Sequence, residues 1–113
     1  MAQATFVHDG RSIDYTPGAD VAAGDVVVQS ELVGVAVRPI AANELGALAV
    51  AGVFDVAKAG GAGVTFAIGN KVYWDDTNNY AVATDGAGAN KLMGKAVVAA
   101  ADADTSVRVR FDQ

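Results

Sequence analysis

The stretch with the greatest density of reactive side chains is VYWDDTNNY, residues 72–80. It holds the one tryptophan of the chain, Trp74, two adjacent carboxylates, Asp75 and Asp76, and then Asn78, Asn79 and Tyr80. Carboxylates and amides this close together could ligate calcium, and two aromatic faces could stack on a sugar. A calcium loop of the EF-hand kind needs oxygen ligands at alternate positions, glycine at the sixth and glutamate at the twelfth. Counted from Asp75, those two places hold Tyr80 and Gly86; counted from Asp76, they hold Ala81 and Ala87. Neither frame fits. Asp and Asn also make turns, because they tolerate left-handed backbone angles and cap nearby amides. The stretch is therefore read as a β-hairpin turn, with Val72, Trp74 and Tyr80 flanking it as cross-strand partners. Trp74 and Tyr80 are kept as candidate surface contacts.

Other candidates are weaker. His8 is the only histidine, and Asp9 and Ser12 are its neighbours in sequence. Adjacent residues on a strand point to opposite faces, so this spacing does not spell a catalytic triad. With one histidine and no cysteine, a zinc site would have to be completed by carboxylates. AGGAGVTF lacks the Lys-Ser/Thr of a phosphate-binding loop, and DGAGANKL has Lys91 where a dinucleotide loop needs its third glycine. Asp102 and Asp104 sit in a loop with no aromatic platform beside them, which makes a poor glycosidase pair. The residues thus point away from an enzyme and call for no cofactor and no metal.

Charge narrows the partners. The net charge is −5, and the eight Lys and Arg are scattered. Nucleic-acid binding needs a positive patch to neutralise phosphates, so neither nucleic acid nor an anionic membrane is an expected partner. The start MAQATFVHDG lacks the basic and apolar regions of a signal peptide. Gly and Asp interrupt every apolar run short of a membrane span. A soluble protein made in a cytoplasm is expected.

The elements that must position these residues read as strands. Glycine is frequent (13) and proline rare (2). In SVRVRF, residues 106–111, Val107, Val109 and Phe111 alternate with Arg108 and Arg110, the pattern of a half-buried strand. DVVVQ, LVGVAV and KLMGKAVV are β-branched or apolar runs bounded by turn residues. ELGALAVAGVFDV, residues 44–56, could pass for a helix, but Gly46 and Gly52 would each cost ~1 kcal/mol in a helix interior. Leu48, Val50, Phe54 and Val56 are evenly spaced, so this segment is expected to be a strand with Gly52 at a bulge or a close approach. Short strands about ten residues apart, separated by Gly/Asp/Asn turns, imply a mainly β fold, a single compact sandwich or barrel. More than half of the residues are hydrophobic, but Ala and Val dominate. Such a core gains less per residue than one of Leu and Phe, so help from oligomerisation or a partner is expected.

The order of the strands also echoes. GDVVV (24–28) resembles GNKVYW (69–74), LVGVAV (32–37) resembles LMGKAVV (92–98), and LAVAGVFD (48–55) resembles VRVRFD (107–112). Two pseudo-repeated three-stranded units are expected, at about 24–56 and 69–112, within a β domain spanning 18–113. Residues 1–17 stand outside this pattern as an N-terminal arm or edge strand. Phe6, Ile13 and Tyr15 give that segment enough apolar surface to dock.

FVHDGRSIDYTPGADVAAGDVVV, VGVAVRPIAANELGALAVAGVFDVAKA, IGNKVYWDD and LMGKAVVAAADADTSVRVRF together resemble the capsid cement, or decoration, proteins of tailed bacteriophages. The likeness runs from about residue 6 to 112; AGVF-V-KA, VYWDD and VRVRF are its most specific pieces. Lys95 departs from the pattern, at a strand position where an apolar residue is expected. The resemblance implies a β-rich protein made in the bacterial host cytoplasm and placed in the virion. There it would bind the outer surface of an expanded head, with the major capsid protein and other copies of itself, as a homotrimer, for partners. It also implies capsid contact through the arm, here Ala2, Gln3, Ala4, Thr5, Phe6, Val7, Ile13 and Tyr15. The alternative is a carbohydrate- or surface-binding module of a phage head or tail, working through Trp74 and Tyr80.

Overall fold

The computed structural model describes residues 3–6, 10–58 and 64–111. Nine strands follow one another: β1 (Ser12–Tyr15), β2 (Val26–Gln29), β3 (Leu32–Val35), β4 (Gly46–Ala49), β5 (Gly52–Ala57), β6 (Lys71–Asp75), β7 (Tyr80–Val82), β8 (Lys91–Ala96) and β9 (Ser106–Phe111). Among the described residues the one helical element is a single 3-10 turn, Gly86–Gly88. The strands form two antiparallel sheets, a four-stranded one ordered β1-β4-β3-β2 and a five-stranded one ordered β5-β9-β8-β6-β7. The mainly β fold expected from the sequence is present as two packed sheets. Just past β5, Lys58 makes one parallel bridge to Ala81 of β7, but the described strands do not close into a barrel.

Alternation of side chains builds the core. On β9, Val107, Val109 and Phe111 point inward while Arg108 and Arg110 face out, as the pattern SVRVRF requires. Val72 and Trp74 of β6 and Met93 and Ala96 of β8 join them. Val33 and Val35 of β3 come from the other sheet, with Val26 and Val28 of β2 packed beside them. Both sheets therefore share one main core. Phe54 and Phe111, on the neighbouring strands β5 and β9, meet edge to face with ring centroids 5.2 Å apart. A smaller core lies on the far side of the four-stranded sheet, where Ala36, Ile40 and Leu48 gather Ile13, Tyr15, Val21 and Val27. Valines 26–28 thus serve two cores, because neighbouring strand residues face opposite ways.

One sequence expectation is corrected here. Residues 44–56 are not one strand with a bulge at Gly52. They split into β4 and β5, which belong to different sheets. Gly52 has φ +123°, a backbone state that L side chains rarely adopt, and the chain changes sheets beside it. Even spacing of apolar residues continues through that change because both strands use period two, so the pattern alone does not show the break.

The two sheets share a strand order: β1-β4-β3-β2 in one corresponds to β5-β9-β8-β6 in the other, with β7 added at the edge. A matching hydrogen-bonded corner appears in each. Val21 and Ile40 exchange backbone bonds at 2.9 Å, as do Phe66 and Ala100. The amide of Gly24 donates to the carbonyl of Ala36, and that of Gly69 to Ala96, at 2.6 and 2.7 Å. Gly24 and Gly69 hold nearly equal angles, φ +89° and +90°. β1 is an edge strand paired with β4 in register Ser12↔Ala49 to Tyr15↔Gly46.

Candidate functional site

The 72–80 segment is a hairpin. β6 and β7 pair in register Tyr73↔Val82, Trp74↔Ala81 and Asp75↔Tyr80. Asp75 builds the turn with its own carboxylate, which accepts bonds from the amides of Thr77 (3.0 Å) and Asn78 (3.2 Å) and from the Asn78 side-chain amide (2.9 Å). Asn79 takes φ +61°, and its amide donates to the Asp75 carbonyl at 2.7 Å. The Asn78 bonds, side chain first, hold the Asp75 carboxyl below the usual carboxylate range, because they stabilise its ionised form. The turn thus uses the oxygens that a cation would need. Among the described residues no group of three or more His, Asp or Glu side chains is placed to hold a metal ion.

Trp74 does not offer a surface. Its ring is 5% exposed within the main core, and its indole N–H donates to Asp76 Oδ1 at 3.1 Å. A strand residue beside an exposed turn can point either way, and here the core side wins because the indole is the largest apolar group in the segment. Tyr80, in contrast, is 42% exposed. The two aromatics therefore do not form one stacking platform. In the loop of Asp102 and Asp104, the backbone carbonyls of both residues accept bonds from Lys58 Nζ at 3.2 and 3.0 Å. The Asp102 carboxylate accepts from the Thr65 hydroxyl, and the Asp104 carboxylate from the amide of Ala101. Lys58 is the one buried charged residue among those described, at 2% exposure. It was not singled out from the sequence, although it is the lysine of AGVFDVAKA.

Of the expected arm, Gln3, Ala4, Thr5 and Phe6 are exposed, Phe6 at 81%. Ala2 and Val7 lie outside the described residues, as do His8, Asp9 and the glycine-rich stretch 59–63. Ile13 and Tyr15 are half-buried in β1 and pack in the smaller core, so of the two expectations for residues 1–17, arm or edge strand, these two residues take the edge strand. Val53 of β5 is also exposed, and other large apolar side chains reach the surface in two groups. Val37 and Leu45 lie beside one hollow, which Pro39 and Ile40 also line. Ile68 and Val97 lie beside another, with Val98 next in sequence. On the open face of the five-stranded sheet, Asp55 accepts from Arg108 Nε at 2.8 Å. That bond and the guanidinium charge hold the carboxyl below its usual range.

The described residues offer no cleft with converging ionisable groups. A hollow of about 470 Å³ between the sheets is lined by five valines with Phe54 and Trp74, and its polar lining is Asp25, Asp55 and Asn79. No helix among the described residues is long and apolar enough to cross a membrane, which says nothing about spans made of strands. What the described surface does present is exposed apolar side chains, among them Val37, Leu45, Ile68 and Val97. A family model described as phage cement protein matches residues 7–111 of the 113-residue chain. No match was found among curated proteins or among solved structures. With almost its whole length aligned to that one model, the chain belongs to the phage cement protein family.

Proposed function

We propose that this protein binds the outer surface of an expanded phage head and stabilises it by bridging adjacent capsid subunits, without catalysis. The observation that carries the reading is the family match across residues 7–111. The structure supports it in three ways. The molecule is 49 Å in its longest dimension, which suits a clamp that touches more than one subunit. Large apolar side chains are exposed at two separate places, Val37 with Leu45 and Ile68 with Val97. Gln3–Phe6 is exposed ahead of β1, where an extended segment can pair with a neighbouring sheet edge through its main chain. Copies that meet as a homotrimer would each hold weakly and together hold strongly, because linked contacts raise the effective concentration. The major capsid protein is the partner in this reading.

The test adds purified protein to expanded, undecorated shells of the phage that encodes it. Co-sedimentation, with shells that survive higher temperature, is expected. Shells that gain no heat resistance and bring down no protein would refute the reading. Removal of residues 2–9, which stops short of β1, is expected to weaken shell binding and to leave the melting of the body unchanged. Undiminished binding would remove the arm from the mechanism.

A further inference from the structure

The connection between β3 and β4, residues 36–45, is tied down along its length. Ile40 is buried and exchanges backbone bonds with Val21 at 2.9 Å. The amide of Ala42 donates to Asp20 Oδ1 at 2.9 Å, and that of Asn43 to the Pro17 carbonyl at 2.8 Å. The amide of Glu44 closes back on the Ala41 carbonyl at 3.1 Å. On this fixed frame Val37 is 58% exposed and Leu45 71%. Both line a hollow of about 320 Å³ formed by residues 37–41 and 44–47. Arg38 and Glu44, also exposed, line the same hollow. Neither of their side chains makes an ion pair or hydrogen bond among the described residues.

The connection between β8 and β9 indicates what the fold itself needs from such a loop. Its backbone bonds match. Ala96 accepts from Gly69 as Ala36 does from Gly24, Ala100 and Phe66 exchange bonds as Ile40 and Val21 do, and Asp104 donates to Ala101 as Glu44 does to Ala41. Its side chains differ. In the place of Glu44, the Asp104 carboxylate accepts from the Ala101 amide at 2.8 Å and so closes its own turn. In the place of Leu45 stands Thr105, exposed and polar. The backbone is thus served by threonine where the first loop carries leucine. A large apolar side chain held rigidly in water, at a place where folding does not call for it, marks a contact surface.

We propose that this face binds the same face of a second copy about a twofold axis. Val37, Arg38, Glu44 and Leu45 make a patch with one cation and one anion beside two apolar groups, so it is neutral on a chain of net charge −5. Two acidic copies repel one another in most orientations, and least through a neutral patch. Turned about a twofold axis, such a patch is complementary to itself. Arg38 of each copy meets Glu44 of the other, and Leu45 of each enters the other's hollow beside Val37. A partner of single charge sign would gain from one of the two ionic groups and lose on the other. The contact is pairwise, so it is separate from any contact that builds a trimer. It also leaves Ile68, Val97 and residues 3–6 for the shell, and it stands whether or not the proposed function does.

The test is sedimentation equilibrium of the full chain without shells. Neighbours held on a lattice meet at an effective concentration of about 1 mM, so a contact of use there is expected to give dimers at that concentration. Leu45→Thr, which copies the other loop, is expected to weaken the dimer at least about tenfold, because each copy buries its leucine. Ile68→Thr, at an equally exposed place elsewhere, is the control and is expected to leave the dimer unchanged. Arg38→Glu alone and Glu44→Arg alone are each expected to stay monomeric, since each sets like charges across the axis. Mixed in equal amounts, the two variants are expected to form heterodimers, because every facing pair is then opposite in sign. Pairing inside one chain cannot produce that rescue. Wild-type protein that stays monomeric at about 1 mM would overturn the twofold contact and leave the proposed function standing. A mixture of the charge variants that stays monomeric would overturn it too, as would a self-association that Ile68→Thr weakens as much as Leu45→Thr. Loss of shell binding by Leu45→Thr, with wild-type protein monomeric, would overturn it and give the face to the shell subunit. If Leu45→Thr does not fold, as read by circular dichroism, the mixture of charge variants decides alone.

Discussion

Lys58 shows what one side chain can decide in a small β protein. Its position is buried, just past the end of β5, and its Nζ reaches the carbonyls of Asp102 and Asp104 in the loop before β9. The Lys58 amide donates to the Thr105 carbonyl at 2.9 Å, so the same residue ties that loop twice. A buried polar group is tolerated only when its partners are present, and the carbonyls need their donor as much as the donor needs them. Lys58→Met keeps the aliphatic stem and removes the donor, and is expected to cost about 1–3 kcal/mol. Lys58→Ala also leaves a cavity, and is expected to cost roughly 3–5 kcal/mol. Denaturant unfolding of both variants measures the difference. Wild-type stability for Lys58→Met would mean that the two carbonyls find water without loss. Composition did not reveal this residue: lysine is read from sequence as a surface group, and only the loop folding over it makes it a core residue.

At the scale of elements, glycines decide where strands may approach. Gly46 of β4 lies against Ile40; a Cβ built there would sit 2.6–2.8 Å from three atoms of the Ile40 side chain. Ile40 is branched at Cβ and buried, so it cannot swing away. Gly46→Ala is therefore expected to overpack the smaller core, costing about 1–3 kcal/mol. Gly18→Ala, with open space around its Cβ, is expected to change unfolding little, and the pair measured together separates crowding from a general effect of losing glycine. Strand identity was largely legible. SVRVRF reads as β9 because alternation is its own evidence, and the Asp/Asn turn reads as a hairpin because its residues cap their own amides. The chain also turns one similar corner twice, each time at a left-handed glycine, Gly24 before Asp25 and Gly69 before Asn70. The split at Gly52 was not legible, since period two runs on through a change of sheet. The side that Trp74 faces was not legible either, since it depends on which sheet comes to cover β6. Lys95 stood out as a charge at an expected apolar position, and its neighbours across the sheet became visible only once the register was known.

The whole molecule depends on the two sheets sharing one core. Val33 and Val35 reach from β3 into the cluster that holds Trp74, Met93 and Val109, so neither sheet has an independent interior facing the other. A protein of this size with one main core is expected to unfold in a single cooperative step. Trp74, the only tryptophan and buried at that junction, reports on the five-stranded sheet by fluorescence, while far-UV circular dichroism reports on all strands. The two signals are expected to give one midpoint in denaturant. Val33→Ala removes two carbons from the four-stranded side and is expected to cost about 2 kcal/mol. Because the core is common, the loss is expected to move the Trp74 transition as far as the dichroism transition. Separate midpoints, or a Trp74 signal indifferent to Val33, would mean that the sheets melt as two units. The distinction bears on the proposed function, because a protein that bridges shell subunits would pass force between them only if its two ends did not come apart more easily than the shell. Cooperative unfolding makes every exposed contact, beside Ile68 and Val97 or beside Val37 and Leu45, draw on the stability of the whole body.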